Sequence, residues 1–306
     1  MINLFHINSH IIDTSKYSNL LHDVVVTEFE DSIKDYVGAK YSVSFNSATS
    51  AIFLSLLGKG VVLNVPSMVP PVVLNAIVTS GNKYTFNDNT DWVGDSYTLH
   101  DFGNYKIVDS AQKLERNQFK LECNDGDLMV FSFYPTKPVG SSDGGMIVSN
   151  DFSKITLLRE MALNGMTYSH NNWERKIRFP GYKMYLNSIQ AEIGLNNFKL
   201  YEEKLKALNI VRGMYNYGLK YNNTSNHLYR IEVDNRENFI EYMKTNGIRC
   251  GVHYEAAHLN PVYALDNTKC PISEEKSLKT VSIPFHEKLT EEEINFIISK
   301  INGYVR

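Results

Sequence analysis

The sequence predicts an α/β fold in which helices pack on the faces of a mainly parallel sheet. Two observations support this prediction. The chain has 306 residues, which is long enough for about two domains of roughly 150 residues each. Through its first half, apolar positions alternate between the spacing of a helix and that of a strand, and this alternation is typical of parallel strands joined through helices.

Each element of the first half follows from its own pattern. Val25, Phe29 and Ile33 recur at helical spacing, and Gly38 ends the helix predicted over residues 24–37. Short apolar runs bounded by Gly, Asn or Asp predict strands. The predicted strands lie at residues 41–45, 61–65, 97–99, 106–108, 128–133 and 146–149, and further helices at 49–57 and 71–78.

The second half changes character near residue 150, where we expect the sheet to end. Helical spacing then runs almost without interruption over residues 188–219. Beyond it, strands are predicted at residues 227–233, 249–252 and 281–283, and helices at 237–245 and 291–301. We therefore predict a large α/β domain over residues 1–190 and a smaller α+β domain over residues 191–306.

Composition and charge argue against several classes of protein. The chain carries 31 Lys and Arg against 34 Asp and Glu, with no basic block to neutralise a run of phosphates, so no nucleic-acid partner is expected. Its three cysteines form no C-x-x-C pair, which indicates no metal site and favours a reducing compartment. Because no apolar run reaches about 18 residues and no basic leader precedes one, we expect a cytoplasmic protein without a membrane span.

A lysine follows the strand predicted at residues 128–133. Lys137 stands on a turn just beyond this strand, where α/β sheets place their ligands. An amine in this position can attack a carbonyl if its surroundings keep it partly deprotonated. The alternative is a solvated surface lysine.

Small and hydroxylated residues connect a predicted strand to a helix at residues 45–51. A helix start of this kind offers free N–H groups and a positive dipole end to a phosphate, and the hydroxyls of Thr49 or Ser50 could add donors. The alternative is an ordinary helix cap formed by Asn46 or Ser47.

An acid, Asp109, ends the strand predicted at residues 106–108. If buried, its carboxylate needs a cation or a hydrogen-bond donor, and a protonated pyridine nitrogen would satisfy it. The alternative is a helix cap. A phosphate-binding helix start, an acid for a heterocyclic nitrogen and an amine for an aldehyde together are what pyridoxal 5′-phosphate requires.

These segments resemble the DegT/DnrJ/EryC1 family of sugar aminotransferases, and the resemblance covers nearly the whole chain. Its strongest pieces are GDLMVFSFYPTK at residues 126–137 followed by DGG at 143–145, and VDSAQ at 108–112. Weaker similarities occur at residues 46–51, 65–67, 181–194, 253–258 and 282–286. The resemblance implies a fold-type-I transferase dependent on pyridoxal phosphate that works as a homodimer.

The resemblance also implies roles for individual residues. Lys137 would bond to the aldehyde of the cofactor and move protons during catalysis, and Asp109 would pair with the pyridine nitrogen. Gln112 would lie against the ring or its phenolic oxygen. Lys183 would replace an asparagine that reaches the phosphate of the neighbouring subunit, and His258 would contact substrate. The phosphate would be held by Ser132, Ala48 and Thr49.

The reaction implied by the resemblance takes an amino group from glutamate and delivers it to the keto group of a nucleotide-linked sugar. A keto-cyclitol or another small ketone is an alternative substrate. A second alternative is a cofactor-binding sensor or scaffold without turnover. Two departures from the family motivate it: residues 68–71 lack the aromatic that normally lies on the ring, and residues 87–103 are too short for both usual helices.

Overall fold

Nine strands occur in the part of the chain that the computed structural model describes, which comprises residues 1–18, 20, 22–167 and 176–304. Most of them coincide with predicted apolar runs, while Lys83–Asn87 was not predicted. The strands are β1 (Tyr41–Phe45), β2 (Val62–Pro66), β3 (Lys83–Asn87), β4 (Tyr97–Asp101), β5 (Lys106–Asp109), β6 (Leu128–Ser132), β7 (Gly145–Ser149), β8 (Tyr229–Glu232) and β9 (Thr280–Ile283).

The central sheet has five strands in the order β1-β7-β6-β5-β4. Only β5 and β6 pair in parallel, whereas the other three neighbouring pairs are antiparallel. Strands β2 and β3 form a separate parallel pair, and β8 and β9 an antiparallel pair. The α/β class is confirmed, but the prediction of a mainly parallel sheet is wrong, because the central sheet is mixed.

A short connection explains one of the antiparallel pairs. Only residues 102–105 separate β4 from β5, and a parallel pair would need a crossover of a dozen or more residues. The chain therefore turns back on itself, with the Phe102 amide donating to the Tyr105 carbonyl oxygen at 2.9 Å. This β4–β5 hairpin places Tyr97 directly opposite Asp109.

Ten α-helices occur in the same described ranges. Helix α1 begins after Asp23, whose side chain accepts from the Val24 amide, and ends at Gly38 in the left-handed conformation. The helices are α1 (Val24–Val37), α2 (Ala48–Leu56), α3 (Pro71–Thr79), α4 (Gln118–Glu122), α5 (Phe152–Ala162), α6 (Ser188–Lys199), α7 (Tyr201–Leu219), α8 (Arg236–Thr245), α9 (Pro271–Lys279) and α10 (Glu291–Asn302).

Two predicted elements differ from the structure. The single helical segment over residues 188–219 is two helices, α6 and α7, that meet at Leu200. The strand predicted at residues 249–252 is wrong, since only Gly251 makes a bridge there, to Ser282. Ile248 instead bridges to Ile2, so neighbouring residues pair with different segments and no continuous ladder forms.

The buried apolar side chains form three clusters. Two of them cover the faces of the central sheet, and the third is built from residues between Leu208 and Ile297. Buried Ala191 and Leu195 of α6 belong to a sheet cluster, so the change of core falls within α7, and the boundary predicted after residue 190 stays a prediction. None of the described helices has the length and apolar character needed to cross a membrane.

Candidate active site

Lys137 lies in the loop that connects β6 to β7. Its amide donates to the Tyr134 carbonyl oxygen at 2.9 Å, and the Ser141 amide closes the loop on the Phe133 carbonyl oxygen at 2.7 Å. Burial lowers the pKa of the Lys137 amine to about 8, although the nearby charge of Asp109 opposes this shift. About one amine in ten is then uncharged at pH 7. The alternative of a solvated surface lysine does not describe this environment.

Asp109 ends β5 beside Val130 of the parallel strand β6. Its side chain is almost fully buried, and Oδ1 accepts from the Ala111 amide at 2.9 Å. Burial raises the pKa of this carboxyl, while the Ala111 amide, the hydrogen bond from Tyr97 and the charge of Lys137 act in the opposite direction. The alternative of a helix cap is wrong, because the next helix within residues 22–167 begins at Gln118.

Helix α2 begins at the edge of the central sheet where β5 and β6 end. Asp109 and Lys137 lie at this same edge. The Ser47 hydroxyl accepts from the Ser50 amide at 3.1 Å, so the ordinary helix cap that was the alternative is present, formed by Ser47. The first amides of a helix have no acceptor within the helix, and Ser47 satisfies only one of them. The amides of Ala48 and Thr49 thus stand at the positive end of α2, where an anion binds favourably.

Gly145 brings Ser132 and the start of α2 together. It pairs with Ser132 on β6 and with Phe45 on β1. A Cβ atom at Gly145 would lie 2.4 Å from the Ala48 nitrogen, so only glycine permits this close approach. The structure therefore places Ser132, Ala48 and Thr49 at one edge of the sheet.

Lys183 lies on a segment that runs beside the same edge. The Asn46 amide donates to the Met184 carbonyl oxygen at 2.8 Å, and Tyr185 bridges Phe45. The Lys183 side chain is exposed. Its predicted contact with a phosphate requires the site of a second copy and stays a prediction.

Gln112 has a buried side chain whose amide makes a hydrogen bond through both its oxygen and its nitrogen. Oε1 accepts from the Gly94 amide at 2.7 Å, and Nε2 donates to the Tyr254 hydroxyl at 3.0 Å. The Tyr254 ring lies parallel to that of Trp92, with centroids 6.3 Å apart. These contacts fix the Gln112 amide, and its predicted contact with the cofactor ring stays a prediction.

His258 has internal partners at both ring nitrogens. Nδ1 shares a hydrogen bond with the Ser67 hydroxyl at 2.6 Å, and Nε2 lies 3.1 Å from Glu274 Oε1. The ring is buried. These contacts favour a structural role, and the predicted contact with substrate stays a prediction.

Three further residues near Lys137 and Asp109 were missed by the sequence analysis as site residues. Burial and the charge of Lys137 lower the pKa of His253 to about 4, and they also lower the pKa of His227. The Tyr97 hydroxyl donates to Asp109 Oδ2 at 3.1 Å. His253 lies in a segment with a family similarity, whereas nothing in the local sequence around Tyr97 indicates its partner.

The residues at this edge of the sheet fit pyridoxal phosphate. A partly buried amine of lowered pKa suits an aldehyde, a buried carboxylate suits a protonated ring nitrogen, and a helix start suits a phosphate. Among the described residues, no group of three His, Cys, Asp or Glu side chains could hold a metal ion.

Comparisons with known proteins agree with this fit. The UDP-2-acetamido-2-deoxy-3-oxo-D-glucuronate aminotransferase of Pseudomonas aeruginosa is 26% identical, covering 91% of this chain and 90% of its own. The spore coat polysaccharide biosynthesis protein SpsC of Bacillus subtilis is 24% identical, covering 92% and 90%.

Solved structures show the same fold. The sugar aminotransferase CalS13 of Micromonospora echinospora superposes with a TM-score of 0.80 at 18% identity and covers 99% of this chain and 100% of its own. The PLP-form of a putative sugar aminotransferase of Streptococcus pneumoniae has a TM-score of 0.77 at 20% identity, covering 94% and 92%.

A family profile settles the relationship. The profile of the DegT/DnrJ/EryC1/StrS aminotransferases matches residues 7–92 and 105–302, so it spans most of the chain, with an internal gap at residues 93–104 that contains β4. The match includes the loop of Lys137, the strand of Asp109 and the start of α2. The chain therefore belongs to the DegT/DnrJ/EryC1/StrS aminotransferase family, whose enzymes depend on pyridoxal phosphate.

Proposed function

We propose that this aminotransferase delivers an amino group to the keto group of a nucleotide-linked sugar, with glutamate as the donor. The observation that carries the proposal is the partly buried amine of Lys137, which has a lowered pKa and interacts with Asp109 at the sheet edge where α2 begins. The names of two relatives support the substrate class, since the Pseudomonas aeruginosa protein and a Campylobacter jejuni transaminase act on UDP-linked sugars.

Different residues of this chain would move protons and hold the cofactor. Bound pyridoxal phosphate would supply an aldehyde that takes up an amino group and a ring that stabilises negative charge on a substrate carbon. Lys137 Nζ has a pKa of about 8, so it can take a proton from a substrate carbon and give it back at neutral pH. The Asp109 carboxylate would hold a protonated ring nitrogen, because opposite charges attract strongly where water is excluded.

The remaining parts of the site would bind and orient. The amides of Ala48 and Thr49 and the Ser132 hydroxyl would hold the phosphate. His227 and His253 are neutral at pH 7, since burial and the charge of Lys137 lower the pKa of each. They would therefore add hydrogen-bonding groups near the Lys137 amine without adding positive charge.

The proposal includes a homodimer in the cytoplasm. Lys183 is exposed, so its side chain is available for the contact that the homodimer would make with the phosphate of a second copy. All three cysteines carry free thiols, which is usual for cytoplasmic proteins.

One observation favours the alternative of a cofactor-binding protein without turnover. The Tyr97 hydroxyl already bonds to Asp109 Oδ2, and Tyr254 already engages Gln112. If these contacts cannot accommodate the ring movements of a reaction, the site would bind the cofactor and remain inactive.

Amino transfer from glutamate distinguishes these functions. Purified protein with pyridoxal phosphate is supplied with glutamate and with UDP- or GDP-linked keto sugars, keto-cyclitols or small ketones, and formation of 2-oxoglutarate is measured. The proposal predicts turnover with a nucleotide-linked keto sugar, loss of turnover in Lys137→Ala and retention in Lys199→Ala, a change on the exposed surface of α6. Cofactor binding without any formation of 2-oxoglutarate would favour the alternative.

A further inference from the structure

The β4–β5 hairpin brings a tyrosine hydroxyl to the acid of the site. Tyr97 stands opposite Asp109 in the register of the hairpin, and its hydroxyl lies 3.1 Å from Oδ2. Tyr97 also belongs to residues 93–104, the segment that the family profile does not match. The register of the β4–β5 hairpin therefore sets this contact.

Aromatic neighbours hold the Tyr97 ring in place. Trp92 packs against it with ring centroids 4.6 Å apart, and both side chains are buried. On its other side, Trp92 lies parallel to Tyr254, whose hydroxyl accepts from Gln112. Because the buried Tyr97 ring packs against Trp92, it has little rotational freedom, and its hydroxyl stays directed at the carboxylate.

The hydroxyl is a permanent donor at neutral pH. Burial and the negative charge of Asp109 both raise the pKa of Tyr97 well above its usual value. The protonated hydroxyl therefore donates to the ionised carboxylate. Hydrogen bonds to the charged form of a carboxyl group favour that form. Each carboxylate oxygen can accept more than one hydrogen bond, so Oδ2 can accept from Tyr97 and from a second donor.

We propose that Tyr97 is a positioning residue, which keeps the Asp109 carboxylate ionised and oriented and thereby strengthens its hold on the protonated ring nitrogen of pyridoxal phosphate. This inference rests on the proposed function, because it needs the cofactor in the site. It assigns to the shortened hairpin a part in cofactor binding beyond that of connecting two strands.

The change Tyr97→Phe tests the proposal, because it removes the hydroxyl and keeps the ring that packs on Trp92. Tyr105→Phe is the matched control on the same hairpin, where Tyr105 stacks on Phe102. The dissociation constant of pyridoxal phosphate is measured for each protein from pH 5 to pH 8. This range is chosen because the raised pKa of the Asp109 carboxyl lies above the usual carboxyl value of about 4.

The proposal predicts that Tyr97→Phe weakens cofactor binding at neutral pH roughly tenfold, in line with a lost hydrogen bond to a charged group. The loss of affinity on acidification should also begin at a higher pH, because the carboxyl without its donor has a higher pKa. Tyr105→Phe should bind like the parent protein. In an Asp109→Asn background, the change at Tyr97 should have much less effect, because the charge that it supports is gone.

Other results distinguish a wrong role for Tyr97 from a wrong proposed function. If the parent protein binds pyridoxal phosphate and Tyr97→Phe binds it equally or more tightly with an unchanged pH profile, the role of Tyr97 is wrong and the proposed function stands. If the parent protein does not bind the cofactor at all, the proposed function fails and this inference fails with it. Infrared titration of the Asp109 carboxyl, which needs no cofactor, should show a higher pKa in Tyr97→Phe, and an unchanged pKa would overturn the proposal even if the variant bound the cofactor poorly through misfolding.

Discussion

The amine of Lys137 and the carboxylate of Asp109 influence each other across the end of the central sheet. Burial lowers the pKa of the amine and raises that of the carboxyl, while the opposite charge of each partner counteracts the shift of the other. Both groups therefore have protonation equilibria closer to neutral pH than they would have in water. This is a common property of residues that take part in chemistry.

The first prediction concerns the pH dependence of covalent capture of pyridoxal phosphate. Only the uncharged amine attacks an aldehyde, and the pKa of Lys137 is about 8. The rate of capture should rise with pH and level off above about 8. Mixing cofactor-free protein with pyridoxal phosphate and following the visible absorption measures this rate. A rate that continues to rise to pH 10 would indicate a solvated lysine with a pKa near its usual value (about 10.4).

The second prediction concerns the stability of the cofactor-free protein. Asp109 has a raised pKa in the folded state, so the folded protein binds more protons than the unfolded chain between the two pKa values, and the free energy of unfolding decreases as pH rises through that window. Asp109→Asn should remove this decrease and be more stable than the parent at pH 7, with a smaller difference at pH 4.

Urea unfolding at both pH values measures this effect, with Asp266→Asn as the control for loss of an exposed carboxylate. If Asp109→Asn and Asp266→Asn had the same effect at both pH values, the carboxyl of Asp109 would not be the source of the pH dependence.

Individual elements differ in how far the sequence predicts them. Helix α1 and strand β1 occur at their predicted bounds, because apolar spacing and a terminal glycine are local signals. The antiparallel direction of β4 depends on the length of a connection and on the choice of partner. The Tyr97–Asp109 contact follows from this pairing, so no local pattern could predict it.

In the candidate site too, local signals predict some residues, whereas contacts between distant segments are not predicted. Lys137, Asp109 and the start of α2 were predicted, since each follows a strand and carries a recognisable residue type. Gln112 and His258 were also named, but their bonds to Tyr254 and Ser67 join segments far apart in the chain. A single sequence gives the identity of such residues and leaves their partners open.

The third prediction concerns the contact between β7 and α2. Gly145→Ala would place a Cβ atom 2.4 Å from the Ala48 nitrogen, so the start of α2 must move away from the sheet. We expect a loss of about 1 to 3 kcal/mol in the free energy of unfolding and weaker binding of pyridoxal phosphate.

Gly213→Ala is its control, because no atom lies within 4 Å of the added methyl group in the middle of α7. It should stabilise the protein by about 0.5 to 1 kcal/mol. Unfolding and cofactor titration of both variants check the pair, and equal behaviour of the two would mean that the contact at Gly145 does not hold α2 in place.

The proposed homodimer raises the question of whether one copy of the chain completes the site of another. Lys183 is exposed beside the start of α2, and the proposed homodimer would bring it to the phosphate of a second copy. Within a closed pair, each site would then combine Lys137 of one copy with Lys183 of its partner.

The fourth prediction tests this arrangement by mixing. Lys137→Ala and Lys183→Ala should each have low activity alone. After unfolding and refolding together, mixed pairs contain one site with both lysines, so activity should reach about a quarter of that of the parent protein. A mixture no more active than the average of the two variants would place both lysines in the same copy or exclude Lys183 from the site.

The proposed function requires that pyridoxal phosphate become attached to Lys137. Incubation of the protein with the cofactor, reduction with borohydride and mass mapping of the peptides test this attachment, with Lys137→Ala as the control. We expect one modified peptide, which carries the added mass on Lys137 and is missing from the variant. Attachment to a different lysine, or no attachment while the protein is folded, would rule out this role of Lys137.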